Sequence, residues 1–596
     1  MISEKKESRY ELLHRIGVAL SGEHDRDRLL DLILTEAQSL CQADGGTLYL
    51  CTDDHQLEFA IVKNSSLGIE LGGISTNPVT FPPIHLFDPT TGEPNHKNVA
   101  TYAVHAKKPV HIADAYNSDS FDFSGTKAFD QSSGYRSKSF FTIPLINSEG
   151  IVLGVLQLLN ALDDDGKVVS FDTSHQQIVR ALSSQAAIAL DNKLLMEAQK
   201  TLLESFIKMM AAAIDAKSPY TGAHCERVPL ICEMLMSEVC RTTEGTFADF
   251  SMNEDERYEL HIAAWLHDCG KVTTPTHVMD KATKLETIHD RISEVSSRFE
   301  VLKRDAKISY LEALAAGEEM TLAETRYKDE LETLNKDLMF LKHANVGGEY
   351  LPPESQDRIR KIGARVYEHG GKARSLLTDD EMLNLTISRG TLTEDERMVI
   401  NGHMVQTVRM LDSLPFPRNL RRVPEYAVGH HEKMDGTGYP KGVYAGDMSI
   451  PARAMAISDV FEALTADDRP YKKAKKLSEA MRIMGFMKRD NHLDPELFDL
   501  FVSQGVYRRY AEKYLDPSLC DQVDDKALLS IEVQRFTLPP KESRRDRGRS
   551  ILEEYERRFP SRGEGDRLSI SPTAVPPHPR SPSSIPANPR AKRVGQ

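Results

Sequence analysis

The sequence predicts a multidomain chain. An α+β N-terminal domain with an antiparallel sheet is followed by a helical linker, an all-α domain broken by a helical insertion, and a disordered C-terminal tail. Three observations carry this reading. Short β-type runs flanked by amphipathic stretches fill the first 195 residues, histidine-rich helical patterns with little strand signal fill 205–520, and proline, serine and arginine dominate the end. At about 100–200 residues per domain, 596 residues allow three or four folded units.

In residues 1–195, an amphipathic stretch from Tyr10 to Cys41 places Leu29, Leu30, Ile33, Leu34 and Ala37 at helical spacing. Strand-like runs follow at Gly46–Cys51, Glu58–Val62, Pro109–Ile112, Phe140–Ile146 and Ile151–Leu159, the last two separated by the turn Asn147-Ser148-Glu149-Gly150. A helix begins near Ser170 and passes through Val179, Leu182, Ala186 and Leu190. This stretch resembles a GAF domain, a small-ligand sensor fold, most closely in Gly154-Val155-Leu156-Gln157-Leu158-Leu159-Asn160 followed by Phe171. Nucleotide-binding members carry an Asn-Lys…Phe…Asp-Glu signature. Ala161 stands here in place of the Lys, and His175 and Gln176 in place of the acidic pair, so that signature's ion pair cannot form. The resemblance implies an unidentified small ligand; a domain used for dimerisation alone is the competing reading.

From residue 188 to 218 the helical pattern runs on as a linker. Leu190, Leu194, Ala198, Leu202, Phe206, Met209 and Ala213 lie near the a and d spacing of a parallel two-stranded coil. That predicts a homodimer; a helix packed on its own domain is the alternative. Residues 285–389 differ from their surroundings. Leu285, Ile288, Ile292, Val295, Phe299 and Leu302, then Leu331, Leu334, Leu338 and Leu341, predict two charged helices joined near Ala315-Ala316-Gly317. From 536 to 596 the recurrent prolines cannot bury enough apolar surface to fold, which predicts disorder.

The composition narrows the function. Apolar residues are 40% and charged residues 28%, as in ordinary globular chains. No apolar run reaches 18 residues and the N-terminus lacks an apolar signal core, so a cytoplasmic protein without membrane contact is expected. Seven cysteines without a CxxC pair fit a reducing compartment. A net charge of −14 argues against nucleic acid as a partner.

The chemistry is carried by His224, His267-Asp268, His403, His430-His431 and Asp459, spread along the helical region. Imidazole and carboxylate together suit iron, manganese, zinc or nickel, whereas magnesium or calcium prefers oxygen alone. Five His and two Asp exceed what one ion with open positions uses, but they suit two ions about 3.5–4 Å apart. Lys271 follows His267 by four residues, so on a helix both would project from one face and place an ammonium near a phosphate. Each fragment alone is weak; their joint occurrence is specific.

Residues 205–520 closely resemble an HD-GYP domain, the cyclic di-GMP phosphodiesterase branch of the HD superfamily of metal-dependent hydrolases. The name-giving elements are His267-Asp268 and Gly438-Tyr439-Pro440, and Asp459-Val460-Phe461-Glu462-Ala463-Leu464-Thr465 and Arg469-Pro470-Tyr471-Lys472 also match. The resemblance implies metal ligation by His224, His267, Asp268, His403, His430, His431 and Asp459, with Asp268 bridging and catalytic. It implies that Lys271 assists catalysis and that Arg469 and Lys472 hold the substrate phosphates. Two divalent ions are expected, iron or manganese before zinc or nickel, because Tyr220 occupies the position where some members carry a third-metal Glu.

The family's third histidine normally follows the HD motif closely, so 285–389 reads as an insertion into that loop. His289 rivals His403, but Thr393-x-x-Glu396 is a capping box opening the helix that would carry His403. Asp435-Gly436 and Gly438 favour a tight loop, and Cys269 reads as buried rather than nucleophilic. The expected reaction opens cyclic di-GMP to pGpG, and further to GMP, by a hydroxide activated between two ions. The alternatives are another cyclic dinucleotide or nucleotide as substrate, or a scaffold that binds a nucleotide or a diguanylate cyclase without turnover.

Overall fold

The computed structural model describes residues 14–23, 25–217, 224–467 and 474–558, and the chain divides into two compact units at Leu203/Glu204. The first unit is built on an eight-stranded, wholly antiparallel sheet. Its strands are β1 (Ala43–Cys51), β2 (Gln56–Asn64), β3 (Ile69–Gly72), β4 (Ile84–His85), β5 (Val110–Ile112), β6 (Phe140–Ile146), β7 (Val152–Leu162) and β8 (Val168–Val169). The main path runs β3-β2-β1-β7-β6-β5, with β4 on β2 and β8 on β7.

The hairpin expected at Asn147–Gly150 joins β6 to β7. Asn147 donates its N–H to Ile151 and accepts from Gly150, whose φ of 78° suits a residue without a side chain. Alternation along the strands covers both faces. Leu48, Leu50, Phe141, Ile143, Leu145, Leu156 and Leu158 meet the helix Arg26–Cys41 and the start of the helix Thr173–Lys217 on one face. Tyr49, Leu57 and Val155 pack with Leu86 and Ala100 on the other. At about 1.5–3 kcal/mol per buried large apolar side chain, this two-sided burial is what makes the sheet stable.

The helix Thr173–Lys217 is continuous, and it takes Leu190 and Leu194 out of the expected coil seam while leaving Leu202, Phe206 and Met209 exposed. Leu190 and Leu194 pack into the first unit's core. The large apolar residues left exposed are Ile188 (57%), Leu195 (58%), Met196 (62%), Leu202 (69%), Leu203 (38%), Phe206 (55%) and Met209 (57%). Hydrophobic spacing marks an apolar face, but it cannot say which stripe the domain itself consumes.

The second unit is helical. The helices His224–Arg241, Glu254–Leu266, Val423–Val428, Ile450–Thr465, Leu477–Arg489, Pro495–Ser503 and Val506–Tyr514 share one core that includes Ile231, Leu260, Ala263, Tyr426, Ile457, Phe461, Phe498 and Tyr510. The insertion holds the expected helix pair, Ile292–Ala315 and Met320–Val346, followed by the helices Pro353–Gly363 and Asp379–Leu385. Between them stands a two-stranded hairpin, Val366–His369 with Lys372–Ser375, turning at Gly370-Gly371. The insertion has its own core around Leu285, Val295, Phe299, Leu334, Leu341, Ile359 and Leu377. Its base is tied by the buried Lys284, which donates to the carbonyls of Leu385 (3.1 Å) and Ile387 (2.7 Å).

The expectation of disorder from residue 536 is corrected by a helix at Lys541–Arg558, whose Tyr555 is buried. Residues 559–596 lie outside the described residues. No helix among the described residues is long and apolar enough to cross a membrane.

Candidate metal centre

Five helical elements converge on one buried point. The helix Glu254–Leu266 starts with a capping box, Asn253 with Glu256, and delivers His267 and Asp268 at its end. Gly270 allows the following turn to lie against the helix Glu394–Asp412; a Cβ there would sit 1.9 Å from the carbonyl oxygen of His403. That second helix also opens with the expected capping box, Thr393 with Glu396, and carries His403. His224 opens its own helix, His430 and His431 lie in a 3₁₀ turn after Val428, and Asp459 lies within Ile450–Thr465.

The side chains form two groups that share Asp268: His224, His267, Asp268 and Asp459, and Asp268, His403, His430 and His431. Within each group one donor atom per residue lies within 4.8 Å of all the others. The two oxygens of Asp268 face different groups. Oδ2 is 3.1 Å from His267 Nε2 and 3.3 Å from His224 Nε2. Oδ1 is 3.2 Å from His403 Nε2 and 3.7 Å from His430 Nε2. Asp459 Oδ1 completes the first group at 3.3 Å from His224 Nε2.

The tautomers are set from behind. The Nδ1 atoms of His267, His403 and His430 lie 2.7, 2.5 and 2.6 Å from the carbonyl oxygens of Ala264, Ile400 and Ala427. A ring that donates from Nδ1 to a carbonyl keeps a lone pair on Nε2, the state that ligates a metal. Asp268 Oδ1, His403 Nε2 and His430 Nε2 are buried and lack a hydrogen-bond partner. Burying three unpaired polar atoms at one point is unfavourable unless an ion satisfies them. The donor set therefore fits divalent transition-metal ions.

Electrostatics point the same way. Burial opposes charge on Asp268, but the ammonium of Lys271 and the surrounding imidazoles hold its carboxyl well below the usual range. Burial likewise opposes charge on Lys271, yet Asp268 and Asp459 keep it cationic. Lys271 Nζ lies 2.5 Å from Asp268 Oδ2. The chain leaves the α-helix at His267 and continues as a 3₁₀ turn, Cys269–Thr273, so Lys271 reaches the site from that turn and not from a helix face shared with His267. Cys269 is buried and its thiol is pushed up to about 12, which removes it as a nucleophile.

His289 is exposed and pairs with Glu294 at 2.8 Å, away from both groups, so the rival third ligand falls away. Gly438, Tyr439 and Pro440 lie beside the second group. The Tyr439 ring stacks on His431 with centroids 4.8 Å apart and 15° between planes. A Cβ on Gly438 would sit 2.4 Å from the Lys433 nitrogen. Arg469, Lys472 and Tyr220 lie outside the described residues.

Glu462 enters the sequence reading only as one residue of the matched segment Asp459–Thr465. Its Oε2 is 2.5 Å from His224 Nδ1, and Arg227 holds Oε1 at 2.6 Å. Burial pushes the Glu462 carboxyl up, but His224 and Arg227 outweigh it and bring it down to about 2. The i, i+3 spacing of Asp459 and Glu462 was the available signal, since it puts both carboxyls on one helix face.

Comparison with known proteins is consistent with both units. Residues 25–190 match the GAF domain family, and residues 376–497 match the HD domain family. The HD match contains His403, His430, His431 and Asp459; His224, His267 and Asp268 lie on the other side of the insertion. A probable cyclic di-GMP phosphodiesterase of Vibrio cholerae is 30% identical over 282 residues, 44% of this chain and 61% of that protein. A 3'3'-cGAMP-specific phosphodiesterase of the same organism is 37% identical over 135 residues, 22% of this chain and 30% of that protein. A cyclic di-GMP phosphodiesterase of Thermotoga maritima is 27% identical over 204 residues, 30% of this chain and 55% of that protein. The matched region thus spans between 30% and 61% of these three relatives.

Proposed function

We propose that this chain, which joins a GAF domain to an HD domain, is a cytoplasmic phosphodiesterase that hydrolyses cyclic di-GMP to pGpG, and onward to GMP, under control of its N-terminal sensor. The observation that carries the reading is the division of the two Asp268 oxygens between two donor groups. His224, His267 and Asp459 would hold one divalent ion and His403, His430 and His431 a second, with Asp268 between them; iron or manganese suits this mixed set best. When bound, such a pair supplies Lewis acidity at a phosphoryl oxygen and acidifies the attacking water.

The chain's own residues do the rest. The carbonyls behind His267, His403 and His430 fix their rings, and the Glu462–Arg227 pair fixes His224. Lys271 holds a positive charge beside Asp268, where the phosphate's negative charge grows during attack. The resemblance gives Arg469 and Lys472 the task of gripping the substrate phosphates.

Relatives named for 3'3'-cGAMP favour a second reading, in which a mixed cyclic dinucleotide is the substrate. A diguanylate cyclase partner and an unidentified small ligand at the GAF domain complete the proposed interactions. The chain is read as a homodimer through the exposed helical stripe. The test is metal analysis of the purified protein with hydrolysis assays on cyclic di-GMP, 3'3'-cGAMP and cyclic di-AMP, beside Asp268→Asn. Turnover that Asp268→Asn abolishes together with metal content supports the reading; full turnover in that variant overturns it.

A further inference from the structure

The helix Lys541–Arg558 is strongly polar, carries Gly548 near its middle, and among its described side chains one is sealed from water. That side chain is Tyr555, 5% exposed, and its neighbours are those of the metal centre. It packs with Met404, Val405 and Val408 on the helix that carries His403, with Val428 two residues before His430, and with Tyr439. Tyr439 is in turn stacked on His431. One ring therefore belongs to the same apolar cluster as the supports of all three histidines of the second donor group.

The same helix grips the far end of the signature loop. Arg547 Nη1 donates to the Tyr444 hydroxyl at 3.0 Å, and Arg544 pairs with Asp447. Both guanidinium groups lie 5.9 Å from the centre of the Tyr444 ring. That ring lies against Gly436, where a Cβ would be 2.4 Å from its Cζ. A third grip, Arg558 with Asp395 at 3.4 Å, joins the helix to the first turn of the His403 helix.

We infer that the helix Lys541–Arg558 is a strap that positions the loop from His431 to Tyr444, with Tyr555 as a positioning residue acting through Tyr439 on His431. The inference rests on the hydrolase reading above for its consequence in turnover. Its consequence for loop order does not depend on that reading. The Tyr555 ring, the half-buried Arg544–Asp447 pair and the exposed Arg558–Asp395 pair act against the entropy of ordering the helix. Arginine–carboxylate contacts at the surface weaken with salt, so the strap loosens as ionic strength rises.

The experiment uses the full chain with Tyr555→Ala, Tyr555→Phe and the pair Arg544→Ala/Arg547→Ala. Hydrogen exchange of the amides of residues 431–444, manganese titration and steady-state kinetics on cyclic di-GMP are measured. Tyr555→Ala and the arginine pair are expected to speed exchange across 431–444. They weaken the second manganese site about tenfold and lower kcat in proportion, with KM within about twofold. Tyr555→Phe keeps the packed ring and restores exchange and affinity toward wild type. Wild-type exchange in both Tyr555→Ala and the arginine pair overturns the strap. A wild-type protein without metal or turnover would overturn the hydrolase reading instead, while the exchange data still decide the strap.

Discussion

The carboxylate of Glu462 lies 2.5 Å from His224 Nδ1, doing for that ring what main-chain carbonyls do for His267, His403 and His430. A carboxylate behind an imidazole fixes the tautomer and raises ligand basicity, and losing such a partner weakens metal affinity about 10–100-fold. Glu462→Gln is therefore expected to weaken one of two manganese sites by that factor. Turnover lost at low manganese should return when manganese is raised. A Glu462→Gln protein with the wild-type manganese isotherm would show that the Glu462–His224 contact does not tune the site.

Gly438 is required by space. An added Cβ would lie 2.4 Å from the Lys433 nitrogen and 2.5 Å from the Glu432 Cα, so the backbone itself must move. Movement there displaces Tyr439 from His431, and a displacement of about 1 Å near reacting groups costs about a hundredfold in rate. Gly438→Ala should lower kcat by that order while the melting temperature of the sensor domain stays unchanged. Retained kcat would mean that the loop tolerates the shift.

Much of the site was legible because it obeys local rules. The capping box Thr393/Glu396 located the His403 helix across an insertion of about a hundred residues, and the HD pair sits where the apolar helix ends, as its periodicity indicates. The missed features depend on tertiary partners. The Lys271 turn is 3₁₀ and its Gly270 lies pressed against the His403 helix, which local sequence does not reveal. The helix Lys541–Arg558 carries too few apolar residues to announce itself, and the surface that receives its Tyr555 is built from distant segments. Glu462 is one residue of a matched segment until the fold brings His224, 238 residues away, against it.

Glu259 gives a pH dependence of known sign. Burial raises its carboxyl from 4.5 to about 7, against the opposing pull of the Arg422 N–H and guanidinium. The folded state thus binds this proton more tightly than the unfolded chain. The group's favourable contribution is present below about pH 4.5 and is lost as pH rises to about 7. Glu259→Gln should be more stable than wild type at pH 8 by about 1–2 kcal/mol, with the gap closing toward pH 4.5. Denaturant melts at both pH values check this; a gap of the same size at each would refute it.

Arg298 and Glu381 hold the insertion together. Their paired contacts are 2.6 and 2.9 Å, and Glu381 also closes the capping box of the helix Asp379–Leu385. Burial opposes charge on Glu381, but Arg298 and the Thr378 N–H keep its carboxyl below the ordinary range. Arg298→Met should destabilise the insertion by about 2 kcal/mol at pH 7, less than a fully buried pair because the arginine keeps some contact with water. The loss shrinks as Glu381 is protonated in acid. Hydrogen exchange should rise in residues 366–385 without loss of bound metal. A fall in turnover in that protein would show that order in the insertion is coupled to catalysis.

The exposed stripe on the helix Thr173–Lys217 has a definite register. Ile188, Leu195, Leu202 and Met209 recur every seven residues, and Asn192, Gln199 and Phe206 fall between them at the alternate step of four and three. That is a d series of apolar residues with Asn192, Gln199 and Phe206 in the a series, where polar residues specify register at a cost in stability. Leu194, by contrast, packs on its own domain. A cysteine at Leu202 should therefore cross-link two copies under mild oxidation, whereas a cysteine at Leu194 should not. Leu202→Asp should shift the protein from dimer to monomer in light scattering at micromolar concentration. A wild-type chain that is monomeric there, or cross-linking at Leu194 equal to that at Leu202, would remove the coil and leave the stripe without its partner.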